Sequence, residues 1–348
     1  MVGLSTFMSN PLLRPKLLTL LLGCAVTSAW CGGSPSAPST TTAAVPQVPI
    51  GLTTAETPIP PETPPPEVPD NTSPGAPTTP APPTLPTTTG TPWINVLGDT
   101  GWCGSPAMPL LARLLTTLGG DVFLAGDLAY PNGTLAEFRR CFDPDFGQFR
   151  SRFWAAPGNH DYVTSGADGY FTYFGERAGP DRRGYYSVRS GSWQVLMLNS
   201  NVPTNRNSAQ IEWVRQTLQA GPTRCTLAVI HHPFDTSGPN GPHPGQRDLW
   251  DVMHGLGVDV VVAGHDHLYE RHAAQDASQR PDPAKGIRLF IAGTGGAPLY
   301  GRARAAANSE LLISNHGLFR LKLDPALYEW EFLDVNGRVL DRGLNICH

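Results

Sequence analysis

Asp99, Asp127, Tyr130, Asn159, His231, His265 and His267 are oxygen and imidazole donors, and each stands at or shortly after the end of a short apolar run. With Tyr130 counted as a phenolate, the set holds three anionic oxygens, one amide oxygen and three imidazoles. Two metal ions about 3.5–4 Å apart need this many protein donors, a shared carboxylate, and positions left for water and substrate. Asp127 is the natural bridge. Water on such ions loses its proton more readily than bulk water, which supplies hydroxide near neutral or acid pH. A phenolate is a hard anion, so Tyr130 favours a trivalent ion, most simply Fe(III). A lone Gly-Asp after a strand is usually a turn or cap. Five recurrences of a strand followed by an acid, amide or histidine argue instead for one shared centre. His160, just past Asn159, could reach a substrate, hydrogen-bonding a phosphate or protonating a leaving oxygen. Asp161 orients His160 or its loop, or simply forms the turn.

The elements that must position these groups are legible as buried runs and helical spacings. Ile94–Leu97, Asp121–Ala125, Thr226–Ile230 and Val258–Ala263 read as strands that end in Gly-Asp-Thr-Gly, Gly-Asp-Leu-Ala-Tyr, His-His-Pro and Gly-His-Asp-His. Phe153–Pro157 leads into Gly158-Asn159-His160-Asp161. Leucines from Ala107 to Leu118 fall on one helix face. A second helix is expected over 208–219 with Ser208 as its cap, and a third over 246–254. Residues 185–188 and 193–198 read as paired strands, and 287–292, 317–323 and 327–333 as further strands, the last two alternating. Tyr162, Tyr170, Tyr173 and Phe174 form an aromatic cluster expected mostly in the core. His254, inside a helix, is expected to be structural.

The ordered motifs 98–101, 126–130, 158–161, 231–233 and 264–267 resemble those of the purple acid phosphatases within the calcineurin-like metallophosphoesterases. The stretch Gly264-His265-Asp266-His267-Leu268-Tyr269-Glu270-Arg271 resembles that family's last block at length. The resemblance runs from about residue 93 to the end. It implies an α/β fold, a four-layer α/β/β/α sandwich with two mixed sheets. It also implies that Asp99, Asp127, Tyr130 and His267 hold Fe(III), while Asp127, Asn159, His231 and His265 hold a divalent partner (Fe, Zn or Mn). The family pattern His-x-Pro selects His231 over His232, which then supports the ligands from behind or faces substrate. The family also places a substrate-facing histidine on the following loop, where His243 is the nearest candidate, although its surroundings match poorly. The activity implied is phosphate ester hydrolysis of the acid phosphatase type on a small phosphorylated substrate. A phosphodiesterase or nucleotidase on the same fold, and a non-catalytic surface-binding lipoprotein, are the alternatives.

The totals suit one large domain or two small ones. The chain has 348 residues, net charge −4 and no basic excess that would suggest nucleic acid as a partner. No Gly-x-Ser-x-Gly or Walker-type loop is present. Residues 1–31 read as an export signal, with Arg14 and Lys16 before an apolar core too short for a comfortable membrane span. Leu21-Leu22-Gly23-Cys24 matches a lipoprotein cleavage box, with cleavage near Ser28–Ala29 or lipidation at Cys31 as alternatives. Export to the envelope or medium is expected, with membrane contact only through such a lipid. Residues 32–92 carry about half of the 36 prolines and read as a disordered tether; 93–348 is the catalytic domain. Cys103, Cys141, Cys225 and Cys347 allow three disulfide pairings, among which the sequence does not choose.

Overall fold

The computed structural model describes residues 93–348. The expected export signal and tether lie outside the described residues. The chain runs β1 (Trp93–Leu97), α1 (Met108–Leu118), β2 (Val122–Ala125), a series of short helical turns, β3 (Phe153–Ala156), α2 (Asn159–Val163), α3 (Asp168–Phe174), β4 (Tyr186–Ser190), β5 (Trp193–Met197) and α4 (Ala209–Ala220). It continues through β6 (Thr226–Val229), α5 (Arg247–Gly255), β7 (Val260–Ala263), β8 (Tyr269–His272), β9 (Arg288–Ala292), β10 (Ser309–Ile313), β11 (Gly317–Leu323), β12 (Leu327–Asp334) and β13 (Val339–Ile346).

Two mixed sheets result. One has the order β13-β12-β11-β1-β2-β3, and the other β10-β8-β9-β7-β6-β5-β4. Within the first, β1, β2 and β3 are parallel; within the second, β5, β6, β7 and β9 are. The central strands are apolar on both faces because both faces are covered. Alternate side chains go to different cores. Phe123, Val229 and Val262 join the core between the sheets, with Phe290 and Trp330. Leu124 and Val122 join an outer core with Leu111, Leu115 and Phe142 of the first sheet's helical layer. Ala228 and Val261 join the opposite outer core with Ile211, Val214 and Trp250. Three cores separate four layers, so the fold is the α/β/β/α sandwich.

Local chemistry fixes the helix ends. Ser208 caps α4, its hydroxyl accepting from Ile211 N at 3.3 Å. Tyr170, Tyr173 and Phe174 lie in the first sheet's outer core, where Tyr173 stacks on Phe138 with centroids 5.0 Å apart. β8, β10 and β13 are additional to the sequence reading. β10 and β13 are sheet edges without a continuous apolar run, and β8 follows directly on the Gly-His-Asp-His block, whose turn residues mask it. Two disulfides form, Cys103–Cys141 and Cys225–Cys347. Among the described residues no helix is long and apolar enough to cross a membrane.

Candidate metal centre

Each motif sits at the carboxyl end of a parallel strand, where open α/β sheets gather ligands. β1, β2 and β3 are neighbours, so Asp99, Asp127 and Asn159 stand side by side on one sheet. β6 and β7 are neighbours on the other, and they deliver His231, His265 and His267. Asp99, Asp127 and His265 adopt φ of 59°, 53° and 73°. Such left-handed backbone at non-glycine positions costs about 1–3 kcal/mol each and clusters at functional sites. The glycines before and around them make room. A Cβ on Gly126 would lie 2.5 Å from the His231 ring, and one on Gly158 would lie 2.1 Å from Asp127 Oδ1.

The seven donors converge. Tyr130 Oη is 3.1 Å from Asp99 Oδ1, 3.3 Å from Asp127 Oδ2 and 3.2 Å from His267 Nε2. His231 Nε2 is 3.3 Å from the same Asp127 Oδ2, 3.0 Å from Asn159 Oδ1 and 3.2 Å from His265 Nδ1. Asp127 Oδ2 therefore joins an oxygen-rich set, completed by Asp99, Tyr130 and His267, to a nitrogen-rich set of His231, His265 and Asn159. Asp99 and Asp127 are buried, and among the described residues their ion pairs are with His267 and His231, not with lysine or arginine.

With the imidazoles neutral, these contacts hold fewer protons than acceptors. His231 Nδ1 faces the Ala125 carbonyl at 2.8 Å and His267 Nδ1 faces the Pro298 carbonyl at 2.8 Å. Those nitrogens must carry hydrogen, so in the neutral rings Nε2 is a lone pair. Both Nε2 lone pairs then point at carboxylate, amide or phenol oxygens, while the single Tyr130 hydrogen is surrounded by three acceptors. Electron pairs converging without hydrogen between them fit cations. The donor atoms of Asp99, Asp127 and His231 lie within 4.8 Å of one another, and so do ring nitrogens of His231, His232 and His265. These are His/Asp groups able to hold metal.

The protonation behaviour of the protein alone reflects the same excess. Burial acts against the Asp127 carboxylate, but the His231 charge and hydrogen bond, and the contacts to His160, hold it well below the usual range. Burial likewise acts against charge on His231, yet Asp127 and Asp99 push the imidazole up to about 9. Burial and then Asp99 and Asp127 raise the Tyr130 phenol. His232 is driven down to about 2 by burial and by its neighbours His231 and His243. Asp161 is pushed up to about 7 by burial and then by Asp127, against the main-chain hydrogen bonds it accepts.

The supporting residues fall around this set. His160 N donates to Asp127 Oδ1 at 2.7 Å, its ring packs 4.4 Å from Tyr130, and its Nδ1 donates to the Pro131 carbonyl at 2.7 Å. Asp161 accepts from Leu128 N at 3.0 Å and Gly158 N at 2.8 Å, so it clips the second motif loop to the third and does not hold the His160 ring. His232 lies beside His265 with centroids 4.4 Å apart, and His243 is 4.6 Å from His232 and 4.7 Å from His265. His254 stands apart, 3.2 Å from Asp282. Sequence reasoning missed Ser200, 2.7 Å from His232 Nδ1, Trp102, 5.2 Å from Tyr130, and Tyr300, stacked on His267 at 4.2 Å. None follows a strand in a motif, so no local pattern marks them. The Ala125 and Pro298 carbonyls carry no side-chain signal at all.

Residues 92–269 match the family model of the calcineurin-like phosphoesterases. The chain belongs to that family. This chain is 26% identical to purple acid phosphatase 18 of Arabidopsis thaliana over 222 residues, 58% of this chain and 48% of the relative. It spans about half, or less, of the length of the plant relatives first matched. The purple acid phosphatase PPD1 from yellow lupin superposes with a TM-score of 0.62 at 20% identity, over 75% of this chain and 54% of that one. GAP50, the anchor in the inner membrane complex of Plasmodium, superposes with a TM-score of 0.59 at 13% identity, over 74% and 89%. The chain thus shares its fold both with an acid phosphatase and with an anchor protein, and site chemistry has to separate such roles.

Proposed function

We propose that the chain hydrolyses phosphate esters in the manner of an acid phosphatase, on a pair of metal ions. The observation that carries this reading is the convergence of oxygen and imidazole nitrogen donors from both sheets around Asp127 Oδ2. On this reading Asp99, Asp127, Tyr130 and His267 hold a trivalent iron, and Asp127, Asn159, His231 and His265 hold a divalent ion. When bound, the ions neutralise the phosphoryl oxygens and lower the pKa of a water.

The remaining work belongs to the protein. The Ala125 and Pro298 carbonyls fix the tautomers of His231 and His267, so both rings meet their ions with Nε2 and need no rearrangement. Asp161 holds the two loops that carry Asp127 and Asn159 in register. His160, fixed through Nδ1 by Pro131, would reach a phosphoryl or leaving-group oxygen with Nε2 in its imidazolium form, whose second N–H is the proton donated. His243 packs against His232 and His265, with ring centroids 4.6 and 4.7 Å away. Export ahead of this domain, by a lipoprotein-type or ordinary signal in 1–31 and a tether in 32–92, belongs to the same proposal.

The test is to purify the full chain, count its metals, record its visible spectrum and assay an aryl phosphate. Two ions per chain, turnover, and a charge-transfer band that Tyr130→Phe abolishes are expected. A colourless, zinc-only or manganese-only chain overturns the iron assignment. A metal-loaded chain without turnover overturns the activity and favours a binding role.

A further inference from the structure

Four imidazoles, His231, His232, His243 and His265, line one side of the centre, whereas Asp99, Asp127 and Tyr130 line the other. The His232 ring lies 4.9 Å from that of His231 and 4.4 Å from that of His265, and ring nitrogens of all three are within 4.8 Å of one another. The His232 main-chain N–H donates to Ser200 Oγ at 3.1 Å, and the same oxygen lies 2.7 Å from His232 Nδ1. Main-chain carbonyls accept from Nδ1 of His231 and His267. The Ser200 hydroxyl, which both donates and accepts, accepts likewise from His232 in the tautomer that leaves Nε2 as the free lone pair, the form in which a histidine meets a metal. Behind His232, the Nε2 of His243 is buried with no hydrogen-bond partner.

We propose that His232, held by Ser200, is an additional nitrogen donor to the divalent position, making it a site for a borderline ion such as Zn²⁺ in preference to Mn²⁺ or Mg²⁺. The inference rests on the two-ion hydrolase reading above and supplies the selectivity that reading leaves open. Imidazole donors suit zinc, copper and nickel, while carboxylate, carbonyl and water suit magnesium and manganese. The divalent position in the family reading has two imidazoles against the oxygens of Asp127 and Asn159. A third imidazole tips that balance toward nitrogen. The oxygen-rich side, with its phenol, stays suited to a hard trivalent ion.

The full chain, stripped with a chelator, is equilibrated with equimolar Zn²⁺ and Mn²⁺, and bound metals are counted by mass spectrometry. His232→Phe, which keeps a ring and removes its nitrogens, lowers the bound zinc-to-manganese ratio by about tenfold or more. Ser200→Ala keeps the imidazole but frees it, and lowers the ratio by a few fold; it also decides the question if His232→Phe fails to fold. His254→Gln, remote from the centre, leaves the ratio unchanged. In the Co²⁺-loaded chain the visible d–d bands change in His232→Phe. Two ions bound with a ratio within twofold of the parent, and unchanged cobalt bands, overturn this inference alone. A parent chain that takes up no ions overturns the hydrolase reading with it.

Discussion

Asp127 concentrates the argument in two oxygens. Oδ1 accepts from His160 N, and Oδ2 faces both Tyr130 and His231, so one carboxylate is fixed by the main chain on one side and open to two donor sets on the other. The type and order of the seven donors could be read in the sequence because each follows a short apolar strand. Their partners could not, because a carbonyl such as Pro298 is chemically silent and Ser200 lies outside any motif. A different buried acid, Glu270, yields a pH prediction. It is fully buried, accepts from Ser237 N at 2.8 Å and lies 3.3 Å from His272 Nε2. Burial raises its carboxyl, but the His272 hydrogen bond and charge, with Ser237, bring it down from 4.5 to about 2. A depressed folded-state value means stability that is present above the ordinary glutamate range and lost as pH falls toward about 2. Between pH 6 and pH 3 the parent should lose about 2 kcal/mol through this group. Urea unfolding of Glu270→Gln should show lower stability at pH 6 and a flatter acid limb; an acid limb as steep as the parent's refutes the role.

At the scale of elements, the strands that carry the candidate donors were among the readable ones. β2, β6 and β7 are buried on both faces and so appear as unbroken apolar runs. β13 lies at an edge and carries Asp341, Arg342 and Asn345, so its sequence resembles a loop. The disulfides were undetermined for a related reason, since pairing depends on which chain ends meet. Cys225 precedes β6 and Cys347 follows β13, so their bridge ties the last strand of one sheet to the start of a central strand of the other. It closes a separation of 122 residues, against 38 for Cys103–Cys141. Chain entropy then assigns about 5 kcal/mol to the longer bridge and about 4 kcal/mol to the shorter. Paired alanine substitutions measured by urea unfolding should destabilise in that order. The reverse order would show that local packing, such as the loop bearing Trp102, outweighs loop closure.

Across the whole molecule, the centre takes four of its seven candidate donors from one sheet and three from the other. Ions held there join the two sheets and stabilise the native state by mass action. Chelation should lower the melting temperature by about 10–20 °C, given two ions each present at roughly a hundred times its dissociation constant. Asp127→Asn should respond far less to the chelator. Equal chelator shifts in parent and variant, read by calorimetry, would place the stabilising ion elsewhere.

β1, the first strand described, is central in its sheet, flanked by β2 on one side and by β11 on the other. Asp99 leaves its end, yet the flanking strand Gly317–Leu323 lies about 220 residues further along the chain. That sheet therefore cannot close around Asp99 until a strand far downstream has been made. No nascent intermediate lacking Gly317–Leu323 has the complete sheet that carries Asp99.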